Sequence, residues 1–475
     1  MAPNADGLDE PYLVCLGATD EIGASCHYLQ IDGTGIMLDA GADPEEEGRD
    51  AVPDLHFIKD RTDTWVDHVL ITHAHQDHLG CLPVVIQEFP HVLVHMTRAT
   101  RDLAGVLLPS SARLQARKQQ EGSTSADPLF AVEELDAYEY LYLGHHLEFP
   151  FELTGVRGRT PIEGRLWDAG HVLGAAGVEI EVEYGDEVRR VFYTSDTSMT
   201  AQAILPGGSY PEGPIDTLIL ESTLGGDPEA EQFTRKSEER KFGEALKETL
   251  ERGGTALVPV FALGRSQEVL AMIDRFKRRG IIDDETPVYS AGMMRAISDV
   301  YDKTRFTTPR LNEDFEVYGV NQKRLPRGQN GLQRVLQEPG ILVVSSGMMF
   351  ERTISNKLAQ EMVDSEKHSI LLVGYAREDS PAARLLESTN GAVVLDEARG
   401  AQPLNCQVGR FRFSGHSHRR DLLNLVEQLE PRRILLVHGD ANAREWMADN
   451  IKFFNPDAEI EVPERGKPVR LFPAD

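Results

Sequence analysis

Residues 72–80 read THAHQDHLG and bring three histidines and one aspartate together directly after the apolar run VLI. Imidazole nitrogen and carboxylate oxygen are ligands that zinc accepts, and a catalytic zinc keeps one coordination position open for water. A short loop leaving a strand can direct His73 and His75 to one ion, and Asp77 and His78 to a second. A solvated polar loop is the alternative, but the spacing H-x-H-x-D-H favours a metal site.

Length and composition indicate a two-domain globular protein. The chain has 475 residues, of which 41% are hydrophobic and 7% aromatic, so two domains can each bury a core. Four cysteines are scattered without a C-x-x-C pair, which predicts reduced thiols in a cytoplasmic protein. The polar start and the absence of any long apolar stretch predict neither secretion nor a membrane span.

The net charge of −28, from 77 acidic and 49 basic residues, argues against a polyanionic partner. Two interpretations would still permit one. A local basic groove can operate within an acidic surface, or the host works in high salt, where electrostatic screening acts over a few ångström. The candidate basic clusters are Lys323–Arg324 with Arg327, Arg419–Arg420 and Arg432–Arg433, and solvated surface is an equal alternative for each.

Six side chains capable of metal or acid–base chemistry directly follow short apolar or β-rich runs. Strand ends in a layered sheet converge along one edge, where functional loops gather. One shared site is therefore a better explanation than six independent placements. The six residues are Asp39, His73, His171, Asp196, Glu221 and His438.

Residues 226–405 differ from the flanking sequence. Helix-like stretches alternate there with apolar strands at 256–261, 287–290, 341–345 and 369–375. Such alternation predicts an α/β layer with a parallel sheet. Since the metal-ligand candidates stop at this segment and resume only at His416 and His438, the sequence predicts an insertion. The predicted boundaries are 1–225 and 406–475 for the first domain and 226–405 for the inserted domain.

Motifs spread along most of the chain resemble those of the β-CASP nucleases of the metallo-β-lactamase fold. Within this group the chain is similar to the nuclease subunit of the cleavage and polyadenylation factor and to its prokaryotic relatives. The motifs are GATDEIG at 17–23, LDAG at 38–41, DAGHVLGAA at 168–176, YTSD at 193–196, ESTL at 221–224, PVFALGRSQ at 259–267, SSGMM at 345–349, FSGH at 413–416 and LVHGD at 436–440.

The resemblance implies an αββα metallo-β-lactamase sandwich with an inserted α/β β-CASP domain and two zinc ions per chain. One ion is expected on His73, His75 and His171, and the other on Asp77, His78 and His438. Asp196 would bridge the two ions, and Asp39 would orient their ligands. Asp77 is also expected to take part in catalysis.

The resemblance further implies that His416 protonates the leaving group while Glu221 holds its imidazole ring. Substrate binding is expected from Ser380, Arg384, Arg265 and Ser346. The family's glycine-rich phosphate loop appears here as GYAREDSPAAR at 374–384, with Asp379 in place of a glycine. An extra carboxylate beside a phosphate path is unfavourable. The remaining histidines, His68, His95 and His145 among them, are predicted to be structural or exposed.

The resulting prediction is a dizinc ribonuclease that cuts single-stranded RNA, as an endonuclease, a 5′–3′ exonuclease or both, in mRNA 3′-end processing or RNA decay. It is expected to act in the cytoplasm, without a membrane, as a homodimer or within an RNA-processing complex. One alternative is a DNA-processing nuclease of the same fold, and another is a non-catalytic scaffold subunit. A small-substrate hydrolase accounts for the zinc loop but not for the insertion or His416.

Overall fold

The structure is a computed structural model that describes residues 10–19, 23–184, 187–388 and 391–474. Residues 20–22 of the GATDEIG motif therefore lie outside the described residues. Backbone contacts divide the chain into two compact units. The first unit comprises Met1–Ala201, Gly207–Pro228 and His416–Asp475, and the second comprises Gln202–Pro206 and Glu229–Gly415.

The first unit contains two seven-stranded sheets. The strands of its first sheet are β1 (Tyr12–Cys15), β2 (His27–Ile31), β3 (Thr34–Leu38), β4 (His68–Leu70), β5 (Leu93–Thr97), β6 (Tyr142–His145) and β22 (Pro468–Arg470). They lie in the order β22-β1-β2-β3-β4-β5-β6, and β3 to β6 run parallel. The carboxyl ends of β3 and β4 therefore meet at one edge, where Asp39 and the histidine loop follow.

The second sheet brings four more chain segments to the carboxyl ends of its strands. Its strands are β7 (Phe151–Glu152), β8 (Ile162–Asp168), β9 (Ala176–Tyr184), β10 (Glu187–Tyr193), β11 (Thr217–Glu221), β20 (Arg433–Val437) and β21 (Glu459–Glu461), in the order β21-β20-β11-β10-β9-β8-β7. Strands β10, β11 and β20 are parallel, and β8 runs in the same direction because both β8 and β10 pair antiparallel with β9. His171, Asp196, Glu221 and His438 lie at or beyond these ends.

The core of this unit lies between the sheets. Leu29 and Leu70 of the first sheet pack in one buried cluster with Ile180, Ile219 and Leu435 of the second. The helices of the unit are α1 (His56–Lys59), α2 (Gln76–Leu79), α3 (Leu82–Glu88), α4 (Arg98–Gln120), α5 (Val132–Tyr138), α12 (Arg419–Leu429) and α13 (Ala441–Phe454). The apolar faces of α12 and α13 cover the second sheet, and α4 packs on β5 and β6. The predicted four-layer αββα sandwich is confirmed.

The second unit is built on a six-stranded sheet whose strand pairs are all parallel. Its strands are β12 (Thr255–Pro259), β13 (Val288–Ser290), β14 (Gln322–Arg324), β15 (Gly340–Val344), β16 (Ser369–Leu372) and β19 (Gln407–Arg410), in the order β14-β13-β15-β12-β16-β19, and β17 (Ala392–Val394) pairs antiparallel with β18 (Ala401–Pro403). Its helices are α6 (Arg235–Glu251), α7 (Arg265–Arg278), α8 (Met293–Lys303), α9 (Gln329–Val335), α10 (Ile354–Met362) and α11 (Pro381–Glu387).

The predicted α/β character of the insertion is thus confirmed. Because β19 pairs with β16, the structural division falls later in the chain than residue 406. Among the described residues, none of the helices combines the length and apolar character that a bilayer crossing requires.

The sequence pattern predicts a helix over 97–108 and mostly helical structure over 110–147. In the fold, α4 runs through Pro109 as one helix, although proline there removes one intrahelical hydrogen bond. The expectation for 110–147 was wrong at its end, since β6 occupies Tyr142–His145. This four-residue strand is too short to show an alternation of apolar and polar residues in the sequence. Its extended conformation depends on pairing with β5.

Candidate metal centre

The histidine loop is fixed at its base by Asp39. The backbone N–H of Thr72 donates to Asp39 Oδ1 at 2.8 Å, and the Thr72 hydroxyl also donates to this carboxylate. Asp39 Oδ2 lies 2.8 Å from His78 Nδ1 and accepts a hydrogen bond from the Tyr193 hydroxyl at 3.1 Å. With Nδ1 held in this way, the Nε2 atom of His78 is left to face the centre of the loop.

A first donor group consists of His73, His75, His171 and Asp196, whose ligand atoms lie within 4.8 Å of one another. His75 Nδ1 is 3.1 Å from His73 Nε2 and 3.2 Å from His171 Nε2. Both of those Nε2 atoms are 3.7 Å from Asp196 Oδ2. Three ring nitrogens and one carboxylate oxygen thus converge on a common point.

A second donor group consists of Asp77, His78 and His438. Asp77 Oδ2 is 3.9 Å from His78 Nε2 and 3.7 Å from His438 Nε2. Asp196 also borders this group, since its Oδ2 is 3.4 Å from His78 Nε2 and its Oδ1 is 3.1 Å from His438 Nδ1. Asp196 is therefore placed to contribute to both groups.

Three buried atoms of these groups make no hydrogen bond within the part of the chain that the structure describes. They are His78 Nε2, Asp196 Oδ1 and His438 Nε2. A buried polar atom without a hydrogen bond lowers stability, so a convergent set of such atoms indicates a missing partner. Imidazole nitrogens and carboxylate oxygens at this spacing are what a divalent cation binds. The residues present fit a metal centre.

Burial and charge set the protonation of the donors. Burial lowers the pKa of His73 and of His75, which keeps both rings neutral, as a metal ligand requires. Burial alone would raise the pKa of Asp77, but His78 and His438 outweigh it and hold that pKa below its usual value. Burial would lower the pKa of His78, yet Asp196 and Asp39 raise it well above the usual value.

Three residues of this region adopt a left-handed backbone without being glycine. They are Asp39 (φ 61°), Ser195 (φ 51°) and His438 (φ 51°). Such a conformation costs about 1–2 kcal/mol per residue and tends to persist at functional sites. It turns the chain sharply as it leaves a strand, which directs these side chains across the sheet edge.

His416 lies beside the donor groups. Its Nδ1 is 3.1 Å from Glu221 Oε2, and its ring centroid is 4.5 Å from that of His171. Burial would lower the pKa of His416, but Glu221 and Asp196 raise it to about 9. Glu221 is itself fixed, because it accepts hydrogen bonds from Thr197 N at 2.7 Å and from the Thr223 hydroxyl at 2.5 Å.

The four predicted substrate-binding residues all belong to the second unit. Ser380 is the buried N-cap of α11, where its hydroxyl donates to Arg377 O and accepts from Ala383 N. Arg384 lies 3.0 Å from a Glu397 carboxylate oxygen. Both side chains are therefore engaged in contacts within the protein.

Arg265 and Ser346 differ from that pair. Arg265 Nη1 and Ser346 Oγ are buried and make no hydrogen bond to a described residue. Nearby, Asp379 pairs with Arg377 at 2.5 Å, which neutralises the carboxylate that the sequence placed in the phosphate loop. His418, at the N-terminus of α12, accepts from Arg420 N and so belongs to that helix end.

The sequence analysis missed the residues that hold the functional side chains. Thr72 and Tyr193 anchor Asp39, and Thr197 and Thr223 anchor Glu221. Each lies within two residues of a strand end or a recognised motif, which was the available signal. Nothing in the spacing distinguished these donors, which are the hydroxyl groups of Thr72, Tyr193 and Thr223 and the backbone N–H of Thr197, from those of ordinary surface residues.

Three family models match the chain. Residues 19–226 match the metallo-beta-lactamase superfamily, residues 266–385 the Beta-Casp domain, and residues 401–463 a Zn-dependent metallo-hydrolase RNA specificity domain. A solved structure from Enterococcus faecalis V583, described as a protein of unknown function, aligns with a TM-score of 0.55 and 15% identity. It covers 97% of this chain and 99% of its own, and it supports the fold alone.

Curated relatives match over most of the chain. Endoribonuclease YSH1 of Candida glabrata is 29% identical over 90% of this chain and 54% of its own length. Transcription termination factor FttA of Methanothermobacter thermautotrophicus is 30% identical over 90% of this chain and 67% of its own length. Integrator complex subunit 11 of Danio rerio is 29% identical over 92% and 70%. The chain thus spans little more than half the length of the YSH1 relative.

The αββα sandwich, with clustered histidines and aspartates at one sheet edge, defines a metal-binding protein of the metallo-β-lactamase fold. The parallel-sheet insertion narrows this class further. The chain belongs to the β-CASP family of the metallo-β-lactamase superfamily.

Proposed function

We propose that this chain is a ribonuclease that hydrolyses phosphodiester bonds of single-stranded RNA with two zinc ions. The observation that supports this most is the pair of donor groups sharing Asp196, with His416 held by Glu221 beside them. Two adjacent metal positions suit in-line displacement at phosphorus, because the attacking and the leaving oxygen each need stabilisation. The relative named endoribonuclease YSH1 and the match of residues 401–463 to an RNA specificity domain make RNA the favoured substrate.

The two ions are assigned to the two donor groups. His73, His75 and His171 would hold one, Asp77, His78 and His438 the other, and Asp196 would bridge them. The chemistry supplied at this position is Lewis acidity and a lowered pKa for a water molecule. The carboxylates of Asp77 and Asp196 would offset part of the positive charge of the ions, and Asp39 would keep His78 in its binding orientation.

His416 is assigned as the general acid. Because Glu221 holds Nδ1, the proton to be transferred lies on Nε2, from which it would pass to the departing oxygen. A positioned acid of this kind contributes about 10²–10⁴-fold to the rate. The geometry of the Glu221–His416 pair supports the assignment independently of its protonation.

The test is a time course on 5′-labelled and on 3′-labelled single-stranded RNA, in low and in high salt. The Asp77→Ala/His78→Ala variant serves as the control. Internal fragments from both labels, absent in the control, are the result expected for an endonuclease. Mononucleotide from the 5′ label alone would identify a 5′–3′ exonuclease. Uncut RNA together with cleaved DNA would overturn the proposal in favour of a DNA-processing nuclease.

Metal analysis of purified protein addresses the other alternative. Two zinc ions per chain are expected, and a metal content near zero would favour a non-catalytic scaffold. We further propose that the protein acts in the cytoplasm, consistent with the buried free thiols of all four cysteines. Its assembly as a homodimer, or within an RNA-processing complex, is tested by light scattering of the purified chain and by co-purification from its host.

A further inference from the structure

A basic groove lies at one edge of the parallel sheet in the second unit. It is a cavity of about 870 Å³ lined by four cationic side chains and one acidic side chain, Glu338. Lys323 and Arg324 come from the edge strand β14, Arg327 from the following loop, and Arg334 from α9. All four cations are exposed. Such a concentration of positive charge contrasts with a chain whose net charge is −28.

These four cations make no ion pair and no side-chain hydrogen bond with any residue that the structure describes. The other basic clusters in the sequence are already engaged. Arg433 is buried and bridges Glu459 and Glu461, and Arg419 lies 4.0 Å above the Trp446 ring. In an acidic protein, four cations that converge on one cavity with a single carboxylate, Glu338, and no ion pair to a described residue indicate an anionic ligand.

Protection of the sheet edge is the alternative explanation. Charged side chains on an edge strand discourage pairing with another chain, and β14 is an edge strand. That explanation covers Lys323 and Arg324 only. Arg327 and Arg334 lie beyond the strand and line the same cavity, so edge protection leaves half of the charge unexplained.

We infer that this basic groove binds the phosphate backbone of single-stranded RNA, as a second contact in addition to the metal centre. The lining also offers the half-buried Tyr289 ring and the amides of Gln329 and Asn330. Guanidinium groups with an aromatic ring and amides suit phosphates and bases together, whereas an acidic peptide would need the cations alone. This inference rests on the proposed function, since it assigns a further contact to the same substrate.

The experiment measures binding of fluorescein-labelled oligouridine by anisotropy over a range of salt concentrations. The full chain carries Asp77→Ala/His78→Ala throughout, so that the RNA stays intact. The test variant adds Arg324→Ala, Arg327→Ala and Arg334→Ala, and a second variant changes the same three residues to lysine. The control variant is Lys236→Ala/Arg240→Ala, which removes two exposed cations of α6 that form no ion pair with a described residue.

The alanine variant is expected to bind about tenfold more weakly than its parent, and its slope of log K against log salt is expected to be smaller by about 2. The lysine variant, which keeps the charge, and the α6 control should retain the parent slope. Equal affinity and slope for the alanine variant and the α6 control would overturn the inference. So would an alanine variant that loses binding of polyglutamate but not of RNA, because the groove would then serve an acidic protein.

Failure of the proposed function has a different signature. If the protein without the Asp77 and His78 substitutions neither binds nor cuts RNA while retaining its zinc, the ribonuclease assignment and this inference fall together. If it binds and cuts RNA but the alanine variant behaves as the α6 control, only the basic groove is refuted. Unfolding midpoints of all variants, measured in parallel, show whether a binding change reflects folding.

Discussion

Two clusters of histidine rings occur in the first unit, and their surroundings differ. The ligand cluster comprises His73, His75, His171, His78 and His438 with Asp77 and Asp196. The histidine chain comprises His68, His95 and His145, on β4, β5 and β6. In the histidine chain the rings are linked in series. His68 Nδ1 is 2.9 Å from His95 Nε2, and His95 Nδ1 is 2.9 Å from His145 Nε2.

The difference lies in convergence and in charge. In the ligand cluster several donor atoms lie around shared carboxylates, and three buried atoms of the cluster make no hydrogen bond to a described residue. The rings of the histidine chain form no ion pair with a described carboxylate, and His145 ends against the Phe151 ring at a centroid distance of 3.9 Å. One nitrogen of the histidine chain, His68 Nε2, also makes no hydrogen bond to a described residue. It belongs, however, to none of the donor groups found among the described residues. Convergence with carboxylates, rather than a single unfilled nitrogen, distinguishes a metal centre from a buried histidine.

The most severe test of this comparison is removal of two donors. Asp77→Ala/His78→Ala should abolish RNA cleavage and lower the zinc content measured by mass spectrometry. The reason is that loss of a metal-bound position returns the pKa of water from about 7 to about 15.7. His95→Leu, in the histidine chain, should retain the zinc. The comparison fails if both variants lose metal to the same extent.

His416→Ala should lower kcat by about 10²–10⁴-fold, because the departing oxygen loses its proton donor. Zinc content should stay at the parent level, since His416 is outside both donor groups. Glu221→Gln should give a smaller loss, because the amide can still accept a hydrogen bond from His416 Nδ1. Steady-state rates on a labelled RNA, corrected for zinc content, provide the measurement. Full turnover by His416→Ala would refute the assignment.

Asp39→Asn tests positioning rather than ligation. The amide keeps the volume but loses the charge that orients His78, so zinc affinity should fall about 10–100-fold. Competition with a chromogenic chelator measures the affinity directly. A structural role alone would lower the unfolding midpoint and leave the affinity of the folded protein unchanged.

The sequence predicted the ligand cluster better than its surroundings, for physical reasons. Candidate metal ligands are few, chemically distinctive and placed at strand ends, so the convergence of His73 with Asp196 could be expected from residue type and position. The hydroxyls of Thr72 and Thr223 act through contacts formed only in the fold, and threonine is too common to signal them. The serial linkage of His68, His95 and His145 depends on strand pairing across β4, β5 and β6, which short strands do not reveal.

Ser380 illustrates the limit of a motif match. Its position in the loop implies phosphate binding, which stays a prediction, and in the fold its hydroxyl caps α11. The local backbone geometry determines the hydrogen bonds of Ser380, and the sequence motif carries no information on that geometry. The same holds for Asp379, whose charge Arg377 neutralises. The fold and the convergence of the candidate metal donors were therefore predictable, whereas the polar contacts of single loop residues were not.

Substitution within the histidine chain should affect stability rather than metal binding. His95→Leu leaves His68 Nδ1 and His145 Nε2 without their ring partners, which should cost about 1–3 kcal/mol of unfolding free energy. The three tryptophans, Trp65, Trp167 and Trp446, all belong to the first unit, so their fluorescence during urea unfolding reports on this unit. An unchanged midpoint would show that the chain of rings contributes nothing to stability.

The histidine chain should also change the sensitivity of the protein to acid. Burial lowers the pKa of His95 from its usual value of 6.5 to about 3, and it also lowers the pKa of His68 and of His145. Between those values the unfolded chain binds a proton that the folded chain excludes. The contribution of His95 is therefore complete above pH 6.5 and is lost as the pH falls toward 3.

In that window the excluded proton of His95 makes the unfolding free energy fall by about 1.4 kcal/mol per pH unit as the pH decreases. Urea midpoints of zinc-depleted protein, measured at several pH values, should therefore fall more steeply for the parent than for His95→Leu. Carboxylates and the other histidines titrate in both proteins, so the difference between the two slopes isolates the histidine chain. Parallel slopes would mean that His95 accepts its proton equally well when buried, and the contrast between the two clusters would then rest on geometry alone.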